Sequence, residues 1–268
     1  MLIDNPFAEL TIHTAHIWLV DLTDFWSEVN FFRQFLSPDE VVRGDRFKFV
    51  TDQVNFICTR GIARWILAKY LGSTPTDLQF SYTEKGKPFL ADALNHLNLN
   101  FNISHSKNLA VYAITQANLI GVDIEYLRTN LDVLALAKRF FSPQEYLAIS
   151  NLSNNLSSNL SENTQLNLFF RLWTCKEAYL KAVGLGIAGG LDRVVVSLGN
   201  SVEERSPVLS YVEDSNNYQV LDNWLLQELD IKSQVTVPAE YFGAIALNSR
   251  QVNLQYFNFQ QYFHLLND

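Results

Sequence analysis

"FLSPDE", residues 35–40, returns as "FFSPQE" at residues 140–145. In both copies serine stands where a helix N-cap is expected, and proline takes the first helical position, which its fixed φ suits. A cation-bearing helical stretch follows each copy: "FICTRGIARWILAKYLG" closes at Gly72 and "LFFRLWTCKEAYLKAVG" at Gly184. Each half then carries a strand of small residues, "NLAVYAI" at 108–114 and "YFGAIAL" at 241–247. Ser-Pro alone is common, but three matched segments in the same order point to duplication. Their separation is too long for a solenoid, whose repeats run ~20–50 residues. The expected fold is α+β, built of two pseudo-symmetric α+β halves, residues 1–118 and 119–268, joined near 116–119.

A chain of 268 residues, 48 % apolar and 13 % aromatic, can bury a sizeable core in one large domain or two small ones. No apolar run approaches the ~18 residues of a membrane span, so the expectation is a soluble protein without a membrane partner. "MLIDNPFAEL" has an early Asp and no basic start, which does not read as a signal peptide, and the expected compartment is cytoplasmic. Cys58 and Cys175 lie far apart in apolar helical segments, which suits neither a metal site nor a cytosolic disulfide. The net charge of −8 argues against nucleic-acid binding. It also means that an anionic ligand needs cations supplied locally.

Val54, Ile57, Cys58, Ile62, Trp65 and Ile66 recur at helical spacing. "LNLNFNIS" (97–104) alternates and reads as a strand. With "HSKN" and "TQAN" as turns, "LAVYAI" and "LIGVDIE" complete an antiparallel meander from 97 to 125. In the second half "VLALAKRFF" and "SPQEYLAI" read as helices. In the polar tract "SNLSNNLSSNLSENTQ" (150–165), Leu152, Leu156 and Leu160 fall every fourth residue, which would permit a weak short helix, but a mobile surface loop is the favoured reading. From Asp192 onward the chain reads as several strands around one possible helix, "NWLLQEL".

"IGVDIEYL" (120–127) ends the meander. Ile120, Val122 and Ile124 define one buried face, and Asp123 and Glu125 project together from the other. Two such anions repel unless a cation lies between them. "LWTCKEAYLK" (172–181) supplies a third carboxylate: Glu177 and Lys181, four apart, share a helix face, with Trp173 one turn before. Each motif alone has an ordinary meaning: a solvated strand face, a surface ion pair, a turn histidine in "NISHS". Their order is specific: NISHS, GVDIE, a Ser-Pro helix, W-T-C-K-E-A-x-x-K, then Gly-Leu-Gly. This order resembles the 4′-phosphopantetheinyl transferases, specifically the surfactin-type branch with two pseudo-symmetric halves. The matching residues are Gly121-Val122-Asp123-Ile124-Glu125 and Trp173-Thr174-Cys175-Lys176-Glu177-Ala178-Tyr179-Leu180-Lys181, within a resemblance running from about Phe35 to Gly186. One departure is the long gap from Asp123 to Glu177, which holds the Asn-Leu-Ser tract and looks like a loop insertion.

The resemblance implies Mg²⁺ as the cation, with Mn²⁺ as a possible substitute, held by Asp123, Glu125 and Glu177. Carboxylates are hard donors of the kind Mg²⁺ takes. It implies coenzyme A as co-substrate and an acyl or peptidyl carrier protein as partner. The phosphopantetheine arm would move to a carrier serine, leaving adenosine 3′,5′-bisphosphate. Glu177 is the candidate general base, and Lys181 and His105 complete the candidate catalytic set. Lys176 and Lys181 are expected to meet the phosphates, with His105 contacting phosphate and Ser104 donating beside it. For the dianionic 3′-phosphate the implied contacts are Arg43, Arg60 and Lys87. Arg46 and Arg64 stand in the same segments, where a solvated helix edge explains them as well, and a solvated surface also explains Lys85 and Lys107. The active site is expected in the cleft between the halves, and a monomer suffices to complete it. The carrier is expected to dock beside "LDVLALAKRFFS" (131–142), through Leu131, Leu134, Leu136, Lys138 and Arg139, with core packing as the competing reading of the leucines. Fatty-acid, polyketide and peptide synthase carriers are all open. Two rival readings are a Mg²⁺-dependent phosphoester hydrolase, which leaves the duplication and the lysine helix unexplained, and a non-catalytic CoA- or carrier-binding homologue, against which all three carboxylates and both helix lysines stand.

Overall fold

The computed structural model describes residues 6–152, 158–186, 190–197, 207–214, 217–219, 223–237 and 240–267. In chain order the elements are β1 (Thr14–Asp21), α1 (Val29–Arg33), α2 (Pro38–Gly44), α3 (Val50–Leu71), β2 (Phe80–Tyr82), β3 (Pro88–Leu90), β4 (Leu99–Ser106), β5 (Leu109–Gln116), β6 (Ile120–Tyr126), α4 (Val133–Phe140), α5 (Pro143–Asn151), α6 (Ser158–Val183), β7 (Val194–Ser197), β8 (Val208–Asp214), β9 (Asn217–Gln219), β10 (Leu225–Glu228), β11 (Tyr241–Leu247), β12 (Asn253–Asn258) and α7 (Phe259–Asn267). They form two compact units: Met1–Ala117 with Gln234–Val237 and Val252–Asp268, and Asn118–Ser233 with Pro238–Gln251.

The first unit is a four-stranded sheet in the order β12-β1-β5-β4, with α3 against it. β5 pairs antiparallel with β1 and β4, whereas β12 runs parallel to β1. The sequence division into 1–118 and 119–268 is corrected here, because β12 and α7 belong with the first unit. The reason is apolar: Phe257 of β12 stacks on Trp18, and Phe259 and Phe263 of α7 pack on Trp65 and Phe25. Each large side chain so buried contributes ~1.5–3 kcal/mol.

The second unit carries a three-stranded antiparallel sheet, β10-β11-β6, covered by α6, and a smaller sheet, β7-β8-β9. Three further expectations need correction. β4 and β5 form a hairpin in the first unit, but β6 does not continue the meander; it pairs with β11 within the second unit. "NWLLQEL" is not a helix, since Leu225–Glu228 is strand β10, whose antiparallel partner is β11. The polar tract is helical from Ser158, the first residue of α6, while its residues 153–157 lie outside the described residues.

The duplication is visible in the topology. The order β1-β5-β4 in the first unit repeats as β6-β11-β10 in the second, with all pairs antiparallel. Each unit places a Ser-Pro helix and then a long helix between the first strand and the hairpin, α2 and α3 in one, α5 and α6 in the other. Both long helices run out into a left-handed glycine, Gly72 at φ 60° and Gly184 at φ 76°. The strand echo is displaced by one residue from its sequence alignment. Tyr112, not Val111, shares the helix-facing row with Trp18, and the corresponding row in the second unit is Ala244 with Asp123. A one-residue slip exchanges the faces of a strand.

Candidate active site

The site is built where α6 lies on β6. At Gly121 the two backbones come so close that a Cβ would stand 2.1 Å from the Ala178 carbonyl oxygen and 2.3 Å from the Ala182 nitrogen. Only glycine fits such an approach. Gly121, Asp123 and Glu125 alternate onto the same side of β6, so the close approach also brings α6 over the acidic pair. The expected single buried face is therefore corrected. The acidic side is covered too, and Asp123 is 4 % exposed and Glu177 5 %.

Lys181 Nζ lies 2.6 Å from Asp123 Oδ1. Glu125 is partly buried and has Arg128 at 3.6 Å. Burial, then the charge of Asp123, pushes the Glu177 carboxyl up to about 7; Lys181 pulls the other way, and Glu125 adds to the rise. The three carboxylates therefore share one electrostatic site. Glu177 Oε1 is buried with no hydrogen-bond partner among the described residues.

These observations bear on whether a divalent cation suits the residues. The donors are hard oxygens, their charges interfere, and a buried carboxylate oxygen is left without a donor, which fits such an ion in chemistry and charge. As the side chains stand, no three of the described His, Cys, Asp or Glu groups gather closely enough to hold a metal. The cation beside Asp123 is the Lys181 ammonium.

Lys176 does not belong with the expected phosphate ligands. Its side chain is 0 % exposed, donates to Glu145 and to the Leu191 carbonyl oxygen, and lies over the Phe141 ring. On a helix, successive side chains step by ~100°, so Lys176 faces α5 while Glu177 faces β6. Arg64 is likewise no ligand candidate: it is 2 % exposed and bonded to Glu40, Pro75 and Leu78.

In the first unit, Arg43 and Arg60 come together, their guanidinium groups at 5.5 and 5.8 Å from the Phe56 ring. Arg43 and Arg46 are exposed and Arg60 half-buried. Lys87 is half-buried, and burial lowers its ammonium to about 8. Ser104 is buried and His105 exposed, as neighbours on β4 just before the hairpin turn at Lys107. Leu131, just before α4, and Leu134 and Leu136 on it are partly buried against the second core, whereas Lys138 and Arg139 are exposed.

Sequence reasoning missed the role of Gly121 and the partner of Lys176. The signal for Glu145 was present in the repeated S-P-x-E, since Arg64 and Lys176 each stand eight residues before the helix-ending glycine. The same alignment pairs Trp65 with Glu177. His16 touches Tyr70, as Gly121 meets Ala182 two residues before the glycine, so Trp18 corresponds to Asp123. Indole rings thus stand in the first unit where the second has Asp123 and Glu177, and the same offset sets Val20 against Glu125.

A sequence profile described as the 4′-phosphopantetheinyl transferase superfamily matches residues 119–222, and one described as 4′-phosphopantetheinyl transferase, N-terminal, matches residues 24–117. The chain is 42 % identical over 193 residues to the 4′-phosphopantetheinyl transferase HetI of Nostoc sp., covering 72 % of this chain and 78 % of that one. It is 28 % identical over 241 residues to the L-aminoadipate-semialdehyde dehydrogenase-phosphopantetheinyl transferase of Mus musculus, covering 82 % and 71 %. It is also 28 % identical over 215 residues to a phosphopantetheinyl transferase of Thraustochytrium sp., covering 78 % and 72 %. The chain belongs to the 4′-phosphopantetheinyl transferase superfamily and is an enzyme of that class. No helix among the described residues is long and apolar enough to cross a membrane.

Proposed function

We propose that this enzyme takes 4′-phosphopantetheine from coenzyme A and joins it to a serine hydroxyl of an acyl or peptidyl carrier protein. The serine oxygen bonds to the pantetheine-bearing phosphorus as the bond from that phosphorus to the bridging oxygen breaks. Adenosine 3′,5′-bisphosphate leaves, and the serine proton passes to a base. The observation that carries this reading is Glu177 in the second unit, a buried carboxyl whose Oε1 has no hydrogen-bond partner among the described residues, sharing its site with Asp123, Glu125 and Lys181. A buried carboxylate oxygen left without a donor is a suitable acceptor for that proton.

Lys181 is proposed to offset the charge that grows on the leaving phosphate, after exchanging Asp123 for it. His105 and Ser104 hold phosphate oxygens from the end of β4. Arg43, Arg60 and Lys87 bind the 3′-phosphate, where the planar Arg fork can engage two oxygens. Asp123, Glu125 and Glu177 would hold Mg²⁺ or Mn²⁺, which when bound neutralises pyrophosphate charge. Lys138 and Arg139 are offered to an acidic carrier. One chain carries both sets of residues, and we infer a cytoplasmic monomer. The test is mass spectrometry of apo carrier proteins incubated with CoA and Mg²⁺. The expected result is a carrier heavier by one phosphopantetheine; CoA cleavage with the carrier unchanged would overturn the reading in favour of a hydrolase.

A further inference from the structure

Glu145 ties three elements together. Its Oε2 accepts from Ser142 N at 3.0 Å and Ser142 Oγ at 2.7 Å, at the start of α5, and from Lys176 Nζ on α6. Its Oε1 accepts from Val196 N on β7 at 3.0 Å. Lys176 adds a bond to the Leu191 carbonyl oxygen at 2.9 Å. Both side chains are buried, and Lys176 immediately precedes Glu177.

The first unit holds a like device, although Glu40 Oε1 has no partner among the described residues where Glu145 Oε1 has Val196 N. Glu40 Oε2 accepts from Ser37 N and Oγ, both at 3.1 Å, and from Arg64 Nε at 2.7 Å, while Arg64 Nη1 donates to the Leu78 carbonyl oxygen at 2.8 Å. There the residue after the cation is Trp65. The device thus belongs to the duplicated fold, and only in the second unit does it anchor a helix turn that bears a functional carboxylate.

We propose that Glu145 and Lys176 are positioning residues for Glu177. The pair holds α6 from the α5 and β7 side while Gly121 seats it on β6, so the turn bearing Glu177 is fixed between two anchors. Neither residue touches substrate. This rests on the transfer reading given above, and it assigns to the first lysine of the K-E-A-x-x-K motif a role other than phosphate binding.

The test is steady-state transfer by the full-length enzyme with CoA and an apo carrier, measured well below each variant's melting temperature. Lys176→Met and Glu145→Gln are each expected to lower kcat about 10- to 100-fold, as a displaced catalytic group does. KM for CoA should stay within about threefold of the unmodified enzyme, since neither residue binds it. Lys176→Arg should restore kcat to within about threefold, because Arg64 serves the same contacts in the duplicate. Three outcomes overturn the proposal: a Lys176→Met enzyme with raised KM for CoA beside a normal Glu145→Gln enzyme; variants that melt earlier but keep their kcat; or a folded Lys176→Arg enzyme without activity. Should the Lys176→Met and Glu145→Gln proteins fail to fold, Ser142→Ala removes one bond to Glu145 and leaves both charges. A kcat lowered a few-fold with KM unchanged then supports the proposal, and an unchanged kcat overturns it. An unmodified enzyme that transfers nothing would instead refute the transfer reading itself.

Discussion

Gly121 on β6 lies against Ala178 on α6 so closely that a methyl group on it would stand 2.1 Å from the Ala178 carbonyl oxygen. The atoms it would meet are backbone, which cannot rotate away. Gly121→Ala must push the helix off the strand, and with it Glu177 and Lys181 away from Asp123. Overpacking of this kind costs ~1–3 kcal/mol, and contact with backbone puts this case at the upper end. Denaturant unfolding should register that loss, and transfer should fall more than the folded fraction does.

Glu177 is held against its own charge. Its carboxyl sits at about 7 in the folded chain against an ordinary 4.5. The folded state therefore binds this proton more tightly than the unfolded state. Its contribution to stability is complete below about 4.5 and is lost as pH rises through about 7. Glu177→Gln removes the repelled charge, so at pH above 7 with chelator present the variant should be more stable than the unmodified protein, by about 1–3 kcal/mol. Transfer should drop by about 100-fold or more. Thermal melts at two pH values, beside a carrier-loading assay, check both halves; a less stable Glu177→Gln protein would refute the electrostatic account.

His16 has the opposite sign. It is fully buried, its Nδ1 lies 2.8 Å from the Tyr70 hydroxyl, and burial lowers its imidazolium from 6.5 to about 4. The unfolded chain binds the proton more readily. The stability it contributes is present above about 6.5 and is lost as pH falls through about 4, with a slope of at most ~1.4 kcal/mol per pH unit. Between 4.5 and 6.5 this slope opposes that of Glu177. Melting temperature against pH should be flat there in the unmodified protein, fall toward acid in Glu177→Gln, and lose its acid fall when His16→Gln is added.

Much of the candidate site was legible because its residues stand in short-range patterns. The alternation of "GVDIE" and the i,i+4 spacing of Glu177 and Lys181 require only strand and helix periods to interpret. The duplication was legible because a Ser-Pro cap and a terminal glycine are local signals. What failed was non-local. Pairing of β6 with β11 rather than β5, and of β12 with β1, depends on which apolar face finds which partner, and no local propensity encodes that. "NWLLQEL" has helix-favouring leucines, yet it lies at the edge of a sheet that needed a third strand. Lys176 misled because a lysine in a motif expected to bind phosphate reads as a ligand, and only its burial against Glu145 points elsewhere.

Arg60 and Arg64 stand one turn apart on α3 and should separate cleanly in experiment. Arg64 is buried with Glu40, and its guanidinium also satisfies two carbonyl oxygens. Arg64→Met strands the Glu40 carboxylate in the core, which costs ~3–5 kcal/mol; KM for CoA measured on the folded protein should not change. Arg60 is half-buried, over the Phe56 ring that it shares with Arg43. Arg60→Ala should leave stability within about 1 kcal/mol, the scale of one such ring contact, and raise KM for CoA about tenfold, the effect of one lost charged contact. Repeating the titration with dephospho-CoA decides the point: if Arg60 holds the 3′-phosphate, the substitution should matter far less for a donor that lacks it, and an equal effect on both donors would remove Arg60 from the phosphate site.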